Sequence, residues 1–324
     1  MRSLKTAVGV LVLAALTTTS AGAGAATPTV HFTVFARTGV RLTDIVWTGQ
    51  RFLYVENTTT RILAAPPAGM PYSLFTRLPR QVEETRCLPA ITGHGFVIGD
   101  VYCHSPDNKI YRISANGKTI AQVATLPHVV RSDGALTFDS VGDFGYALVV
   151  ATGRSGGTTN RGGSIFTVDP LGTVRRVGTY DSPGGADEIA IAPPHFGAAS
   201  GQVLLTVDAG KSGSLIAMDV HGRVRTLAPL PDGPNPIAAL VPGRGPSAGA
   251  APSGLYVTDT LSRTIYFAPA AELAPFAGSV LVGSELRGIF WVIRPSGGAF
   301  IATKLVTNLT GTHYNLEGAA YIAG

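Results

Sequence analysis

Short apolar runs, separated by polar residues and glycines, recur along the chain, and helical periodicity is nearly absent. The runs group into a unit of roughly 50 residues that repeats about six times between Asp44 and Ile322, a period typical of propellers and solenoids. Each unit opens on a polar or charged residue, followed by an apolar strand, a turn and a second apolar strand that usually ends in an acid. A third strand follows, and then a glycine turn and a fourth. Four short antiparallel strands in each repeat predict a β-propeller blade.

The pattern therefore predicts an all-β, six-bladed β-propeller. The first strands are predicted to begin at Asp44, Arg86, Asp133, Asp187, Asn235 and Arg287. The second strands are predicted at Phe52 to Glu56, Phe96 to Asp100, Ala147 to Thr152, Val203 to Asp208, Leu255 to Asp259 and Ala299 to Thr303. Ala270 to Phe276 is the one stretch with a helical pattern.

The last repeat lacks a fourth strand. Its first strand is predicted from Gly288, its second from Ala299 and its third from Gly318 to Ile322. An apolar run from Val30 to Phe35 precedes the first complete repeat, and we expect it to supply the missing outer strand. The ring is then closed by an N-terminal strand that completes the last blade, which removes the exposed edge of a linear array.

The N-terminal residues 1–26 have the pattern of a secretory signal peptide: Arg2 and Lys5, an apolar run and then small residues. Residues 27–324 are predicted to form one propeller domain, secreted into an extracellular or periplasmic space as a monomer. No later segment has the apolar length of a membrane span, so no membrane partner is expected. The formal net charge of +5 falls by two without Arg2 and Lys5, and the basic residues do not cluster, so nucleic acid is not an expected partner.

The chain has two cysteines, Cys87 and Cys103, in the second repeat. An even number of cysteines in an exported protein favours a disulfide over free thiols or metal ligation. Antiparallel pairing of the predicted strands places Cys87 nearest Asp100, so Cys103 is expected to fold back to reach it.

Propeller geometry brings the starts of the first strands and the ends of the second strands to one face, around the central channel. The candidates at strand starts are Asp44, Asp133, Asp187 and Asn235. Glu188, Arg86 and Arg287 are expected in the same ring. Carboxylates around a narrow channel repel one another unless a positive charge lies among them, and Ca²⁺ or another divalent cation suits this donor set. The alternative is that an acid at a strand end accepts backbone N–H groups and shapes the next turn. That role accounts for Glu56, Asp100, Asp208 and Asp259.

Several blades resemble a known group. Asn235-Pro-Ile-Ala-Ala-Leu, with Gly254-Leu-Tyr-Val-Thr-Asp-Thr260 and Thr264-Ile-Tyr, resembles the blade signature of SMP-30/gluconolactonase and NHL-type propellers. Asp133-Gly-Ala-Leu-Thr-Phe-Asp139 and Asp44-Ile-Val-Trp47 resemble other first strands of these families. The resemblance spans the mature chain, although each motif is a short blade consensus.

The resemblance implies a divalent metal at the channel mouth. Asn235 would match the amide ligand and Asp44 would take the place of a first-blade glutamate, with Asp133 or Asp187 as the remaining carboxylate and base. The implied activity is hydrolysis of a small lactone or ester, with Arg86 or Arg287 orienting an anionic substrate group. Two departures stand against it, because the first element reads Thr-Asp-Ile and Asn235 is followed by Pro236 instead of glycine.

Two alternatives remain. The first is a non-catalytic, NHL-like propeller that binds a protein, a glycan or a small ligand on the same face. The second is a quinone-dependent sugar dehydrogenase, for which the sequence has no specific signature.

Overall fold

The computed structural model describes residues 29–80, 85–91, 93–127, 135–153, 162–182, 185–208, 212–241, 250–309, 311 and 313–323. The predicted signal peptide and Asp133 lie outside these residues.

The described residues form six four-stranded antiparallel sheets arranged as the blades of a propeller, which confirms the predicted fold. Two short strands come first, β1 (Thr29–Val30) and β2 (Thr33–Arg37). Blade 1 contains β3 (Leu42–Trp47), β4 (Phe52–Glu56), β5 (Arg61–Ala65) and β6 (Ser73–Arg77). Blade 2 contains β7 (Arg86–Pro89), β8 (Val101–Ser105), β9 (Lys109–Ile113) and β10 (Ile120–Thr125). Blade 3 contains β11 (Ala135–Phe138), β12 (Leu148–Gly153), β13 (Gly163–Val168) and β14 (Val174–Tyr180). Blade 4 contains β15 (Ala186–Ile191), β16 (Val203–Asp208), β17 (Ser212–Met218) and β18 (Val224–Pro231).

Blades 5 and 6 are interleaved along the chain. The remaining elements are β19 (Pro234–Ala239), β20 (Gly254–Asp259), β21 (Thr264–Pro269), α1 (Ala270–Leu273), β22 (Val280–Ser284), β23 (Arg287–Ser296), β24 (Ala299–Lys304), β25 (Val306–Thr307) and β26 (Leu316–Ile322). Single 3₁₀ turns lie at Gly197–Ala199 and Ala274–Phe276. Blade 5 has the order β19-β22-β23-β24, and blade 6 has the order β26-β20-β21-β2. The stretch between β19 and β22 thus supplies the two middle strands of the next blade.

Blade 6 closes the ring from both ends of the chain. Its innermost strand is the C-terminal β26, and its outermost strand is the N-terminal β2, which pairs antiparallel with β21. The strand β1 runs parallel to β25, and the two form a separate two-stranded sheet. Between β1 and β2, the side-chain amide of Asn308 accepts from the N–H of Phe32 at 2.7 Å and donates to its carbonyl at 2.9 Å. The Phe32 ring stacks on Phe290 at 5.0 Å between centroids. Closure by an N-terminal strand is confirmed.

The apolar core of the described residues divides into six clusters, each between two neighbouring blades. Alternate side chains of a strand point to opposite faces of its sheet, so a blade covered on both sides needs apolar residues at most positions. This explains why strands such as β4 and β20 are buried throughout. None of the helices within the described ranges is long and apolar enough to cross a membrane.

The second strand of blade 2 differs from the prediction. Residues 96–100 form turns, in which the N–H of Phe96 bonds to Gly93 and the N–H of Asp100 bonds to Val97. The strand begins instead at Val101, and this register sets Cys87 directly opposite Cys103. The two cysteines form a disulfide, as predicted, and both are buried in the core between blades 1 and 2.

Arg287 begins the third strand of blade 5, whereas the sequence pattern predicted the innermost strand of a last blade. The Asn235 strand pairs with β22, and the Leu255 strand that follows it in sequence belongs to blade 6. The repeat pattern is satisfied by either pairing, because both partners are apolar strands of similar length. Residues 318–322 accordingly lie in the innermost strand of blade 6, and not in a third strand.

Candidate functional site

The innermost strands of the blades contact one another around the central channel, and five of them carry a buried polar side chain within their first three residues. These side chains, which we call the channel cluster, are Asp44 of β3, Arg86 of β7, Glu188 of β15, Asn235 of β19 and Glu317 of β26. Each is less than a tenth exposed. The prediction that first-strand starts converge therefore holds for residues that are far apart in sequence.

Arg86 is the cation of the channel cluster. Its guanidinium donates to Glu317 Oε2 at 3.1 Å and to the carbonyl of Thr43, and one of its nitrogens lies 3.9 Å from Glu188 Oε1. One arginine on blade 2 thus contacts blades 1, 4 and 6. Its positive charge lies among the carboxylates, where the sequence had suggested a metal ion.

Two carboxylates of the channel cluster connect neighbouring blades. Asp44 Oδ2 accepts the N–H of Cys87 at 2.9 Å, and its Oδ1 accepts the N–H of Ile45 at 2.8 Å. Glu188 Oε2 accepts the N–H of Ile237, on the next blade, at 2.8 Å. An innermost strand has no ladder partner on its channel side, so these N–H groups need another acceptor. The carboxylates provide it and join blade 1 to blade 2 and blade 4 to blade 5.

Burial controls the protonation of these acids. Burial raises the pKa of Asp44 to about 6, against the opposing effects of Arg86 and two backbone N–H groups. Burial likewise raises the pKa of Glu188 to about 8, and the charges of Asp44 and Glu317 add to this effect, while Arg86 and the Ile237 N–H oppose it. At neutral pH Glu188 therefore holds a proton in most molecules, which reduces the negative charge that Arg86 must balance.

Asn235 is only partly satisfied. Its Nδ2 donates to Glu317 Oε2 at 3.2 Å, while its Oδ1 accepts no hydrogen bond from the described residues although the residue is 2% exposed.

β-Bulges set which residue of a strand start enters the channel cluster. The pairing of β15 with β16 shifts between Ala186 and Glu188, and that of β3 with β4 shifts between Leu42 and Asp44. A bulge re-aims the side chains that follow it. Asp187 is the extra residue of its bulge and is half-buried, so Glu188 takes the position for which Asp187 was the candidate. A sequence pattern with a period of two does not reveal an extra residue.

The sequence pattern does not predict Glu317 as a site residue, because it places the start of this strand at Gly318. A signal was present, since Glu317-Gly-Ala-Ala resembles the opening Asp133-Gly-Ala-Leu. The glycine allows close approach: a Cβ on Gly318 would lie 2.5 Å from the Cα of Asp44.

Arg287 lies outside the channel cluster. Its side chain is 49% exposed, and its Nε lies 3.4 Å from Asp232 Oδ1, in the loop before β19. Asp133, the candidate on the blade 3 strand, falls outside the described residues.

The acids at predicted second-strand ends have local partners. Glu56 binds Arg61 through both carboxylate oxygens. Asp259 accepts the N–H groups of Leu261 and Asn315, which shapes its turn. Asp100 pairs with Arg112 at 2.6 Å, and it lies at the start of β8, on the face opposite the channel cluster. Burial and the charge of Asp208 raise the pKa of Glu285, so Asp208 lies near a second carboxyl.

The channel cluster does not fit a divalent metal. Both oxygens of Asp44 already accept backbone N–H groups, and the Arg86 guanidinium lies between the carboxylates. The Asn235 Oδ1, which accepts no hydrogen bond from the described residues, would favour an ion. Over the described residues, no group of three or more His, Cys, Asp or Glu side chains is arranged to hold a metal.

No protein-family model matches the chain, and no curated protein matches it. Among solved structures, the chain is similar to one in the crystal structure of a nidogen/laminin complex, with a TM-score of 0.56 and 10% identity over 88% of this chain and 86% of that chain. It is also similar to TolB from Acinetobacter baumannii, with a TM-score of 0.47 and 14% identity over 88% of this chain and 58% of that chain. For YCF48 bound to a D1 peptide the TM-score is 0.44, with 13% identity over 81% and 66% of the two chains. The likeness to the nidogen/laminin chain supports the six-bladed propeller fold alone.

Proposed function

We propose that this chain is a non-catalytic binding propeller that takes a small-molecule ligand into its central channel. The observation that carries the proposal is the position of Arg86. Its guanidinium lies between Glu188 and Glu317, in the ring of strand starts in which the resemblance to SMP-30/gluconolactonase enzymes would place an ion.

Electrostatic repulsion favours a binding propeller over a metal-dependent hydrolase. A divalent cation among Asp44, Glu188 and Glu317 would lie within a few ångströms of the Arg86 charge, and two like charges in a buried site repel strongly. Removing Arg86 from the cluster would break its bonds to two other blades. A binding function needs no such rearrangement, and the fold is compatible with it, since the nidogen/laminin chain of similar shape is part of a protein complex.

We also propose that the mature chain works outside the cytoplasm as a monomer, following export by residues 1–26. The Cys87–Cys103 disulfide supports an oxidising compartment.

The proposal is tested by incubating the purified protein with a panel of lactones, esters, sugars and neutral aromatic alcohols, with and without Ca²⁺. Melting temperature reports binding, and mass spectrometry of each compound reports conversion. We expect at least one compound to raise the melting temperature and to be recovered unchanged. Hydrolysis of a lactone or ester above the buffer rate, lost in Asn235→Ala with the fold intact, would overturn the proposal in favour of the hydrolase.

A further inference from the structure

The central channel continues beyond the channel cluster as a cavity of about 240 Å³. All six innermost strands line it. At one end it is lined by Ile45, Ile189 and Ile237, which follow cluster residues by one or two positions in sequence, and at the other end by Trp47, Val241 and Tyr321. The buried side chains of the channel cluster lie beyond the first end, so we take the second end, on the opposite face of the propeller, as the way in.

The lining is apolar. Among the described residues that line the cavity none carries a charge, and hydroxyls come from Thr137, Ser140 and Tyr321. The channel-side backbone edges of the innermost strands add further hydrogen-bonding groups, because each of these strands is the edge of its sheet. Apolar walls with a few polar groups are typical of small-molecule sites.

On this basis, and resting on the proposed binding function, we infer that the cavity is the binding site for an uncharged, mostly apolar small molecule that enters from the face opposite the channel cluster. Volume sets the size of the ligand. The cavity would hold about eight waters at roughly 30 Å³ each, and an apolar cavity of about 150 Å³ already takes benzene. Pockets for drug-sized ligands begin at about 300 Å³. One ring with a short polar substituent fits between these limits.

Charge sets the class of ligand. A charged group in this cavity would lose hydration without gaining an unpaired opposite charge, since the carboxylates and the guanidinium beyond its cluster end are bonded to each other and to backbone groups. A hydroxyl or carbonyl on the ligand can instead bond to Thr137, Ser140 or a strand edge.

Benzyl alcohol and benzoate test the inference, because they share a ring and differ in charge. Trp47 is the reporter: it lines the cavity, while the second tryptophan, Trp291, packs in the core between blades 4 and 5. We expect benzyl alcohol to change tryptophan fluorescence saturably, with a Kd at least tenfold lower than that of benzoate. Equal affinity for the two compounds, or no saturable change, would overturn the inference.

A cavity-filling variant locates the site. Ala239 lines the cavity and belongs to none of the core clusters, so Ala239→Phe is expected to weaken benzyl alcohol binding at least tenfold. Ala121→Phe adds the same side chain to an exposed position on the outermost strand β10 and is expected to leave binding unchanged. If Ala239→Phe fails to fold, the inference is still tested by comparing the binding of benzyl alcohol and benzoate to the wild-type protein. Calorimetric binding that leaves Trp47 fluorescence and the Ala239→Phe variant unaffected would overturn this site while leaving a binding function in place.

Discussion

Replacing Glu188 by glutamine should remove most of the pH dependence of stability between pH 6 and pH 9. The Glu188 pKa is about 8 in the folded protein and 4.5 in an exposed reference state. Between these values the folded protein holds a proton that the unfolded chain has released, so the free energy of unfolding falls as the pH rises. Glutamine has the size of the protonated acid, carries no charge at any pH, and retains an oxygen to accept the Ile237 N–H.

The size of this loss of stability follows from the two pH units between pH 6 and the pKa of Glu188 in the folded protein. At 1.36 kcal/mol for each unit, wild-type protein loses about 3 kcal/mol of stability between pH 6 and pH 9 through this group. For a chain of this size the loss corresponds to a fall of roughly 5 °C in melting temperature. Asp44, whose pKa is about 6, completes most of its contribution at lower pH.

Urea unfolding of wild-type and Glu188→Gln proteins at pH 6 and pH 9 measures the effect. Asp143→Asn removes a carboxylate from an exposed turn and serves as the matched control, which we expect to follow the wild type. A Glu188→Gln protein that loses as much stability as the wild type over this range would refute the reasoning about the buried carboxyl.

Four further variants test the fold and the cluster. Arg86→Met leaves buried carboxylates without their cation and should lower the free energy of unfolding by about 3–5 kcal/mol at neutral pH. The loss should be smaller below pH 6, where the acids are protonated. Urea unfolding at both pH values checks this. Replacing both Cys87 and Cys103 by alanine opens a loop of sequence separation 16 and should cost about 3 kcal/mol, measured against wild-type protein under non-reducing conditions. Phe32→Ala should cost about 3–5 kcal/mol and Asn308→Ala about 1–3 kcal/mol, because both hold the N-terminal segment that closes the ring; thermal melts with unchanged midpoints would contradict that role.

The sequence predicted the number of blades and the N-terminal closure because both depend on the count of apolar strands. It failed on which strands pair in blades 5 and 6. The strands at Leu255 and at Val280 are both apolar and both follow the Asn235 strand, so the choice depends on three-dimensional packing and not on local pattern. In blade 2, tight turns over residues 96–100 displaced the predicted strand and gave the cysteines a direct pairing.

The candidate site was predicted only in part, because the sequence pattern shows where strands start but not how their backbones pair. Strand starts converge in any propeller, which brought Asp44, Arg86 and Asn235 together. The bulge that exchanges Asp187 for Glu188 is a backbone feature that residue type does not encode. The position of Arg86 among carboxylates of other blades depends on distances between blades, which a repeat pattern does not contain.

Thermal melting of the purified mature protein, after chelation and again with Ca²⁺ restored, tests most directly whether Arg86 takes the place of an ion. We expect the same melting temperature in both conditions. A Ca²⁺-dependent stabilisation, about 2.7 kcal/mol when the ion is at one hundred times its Kd, would contradict it and would identify a metal site in the native protein.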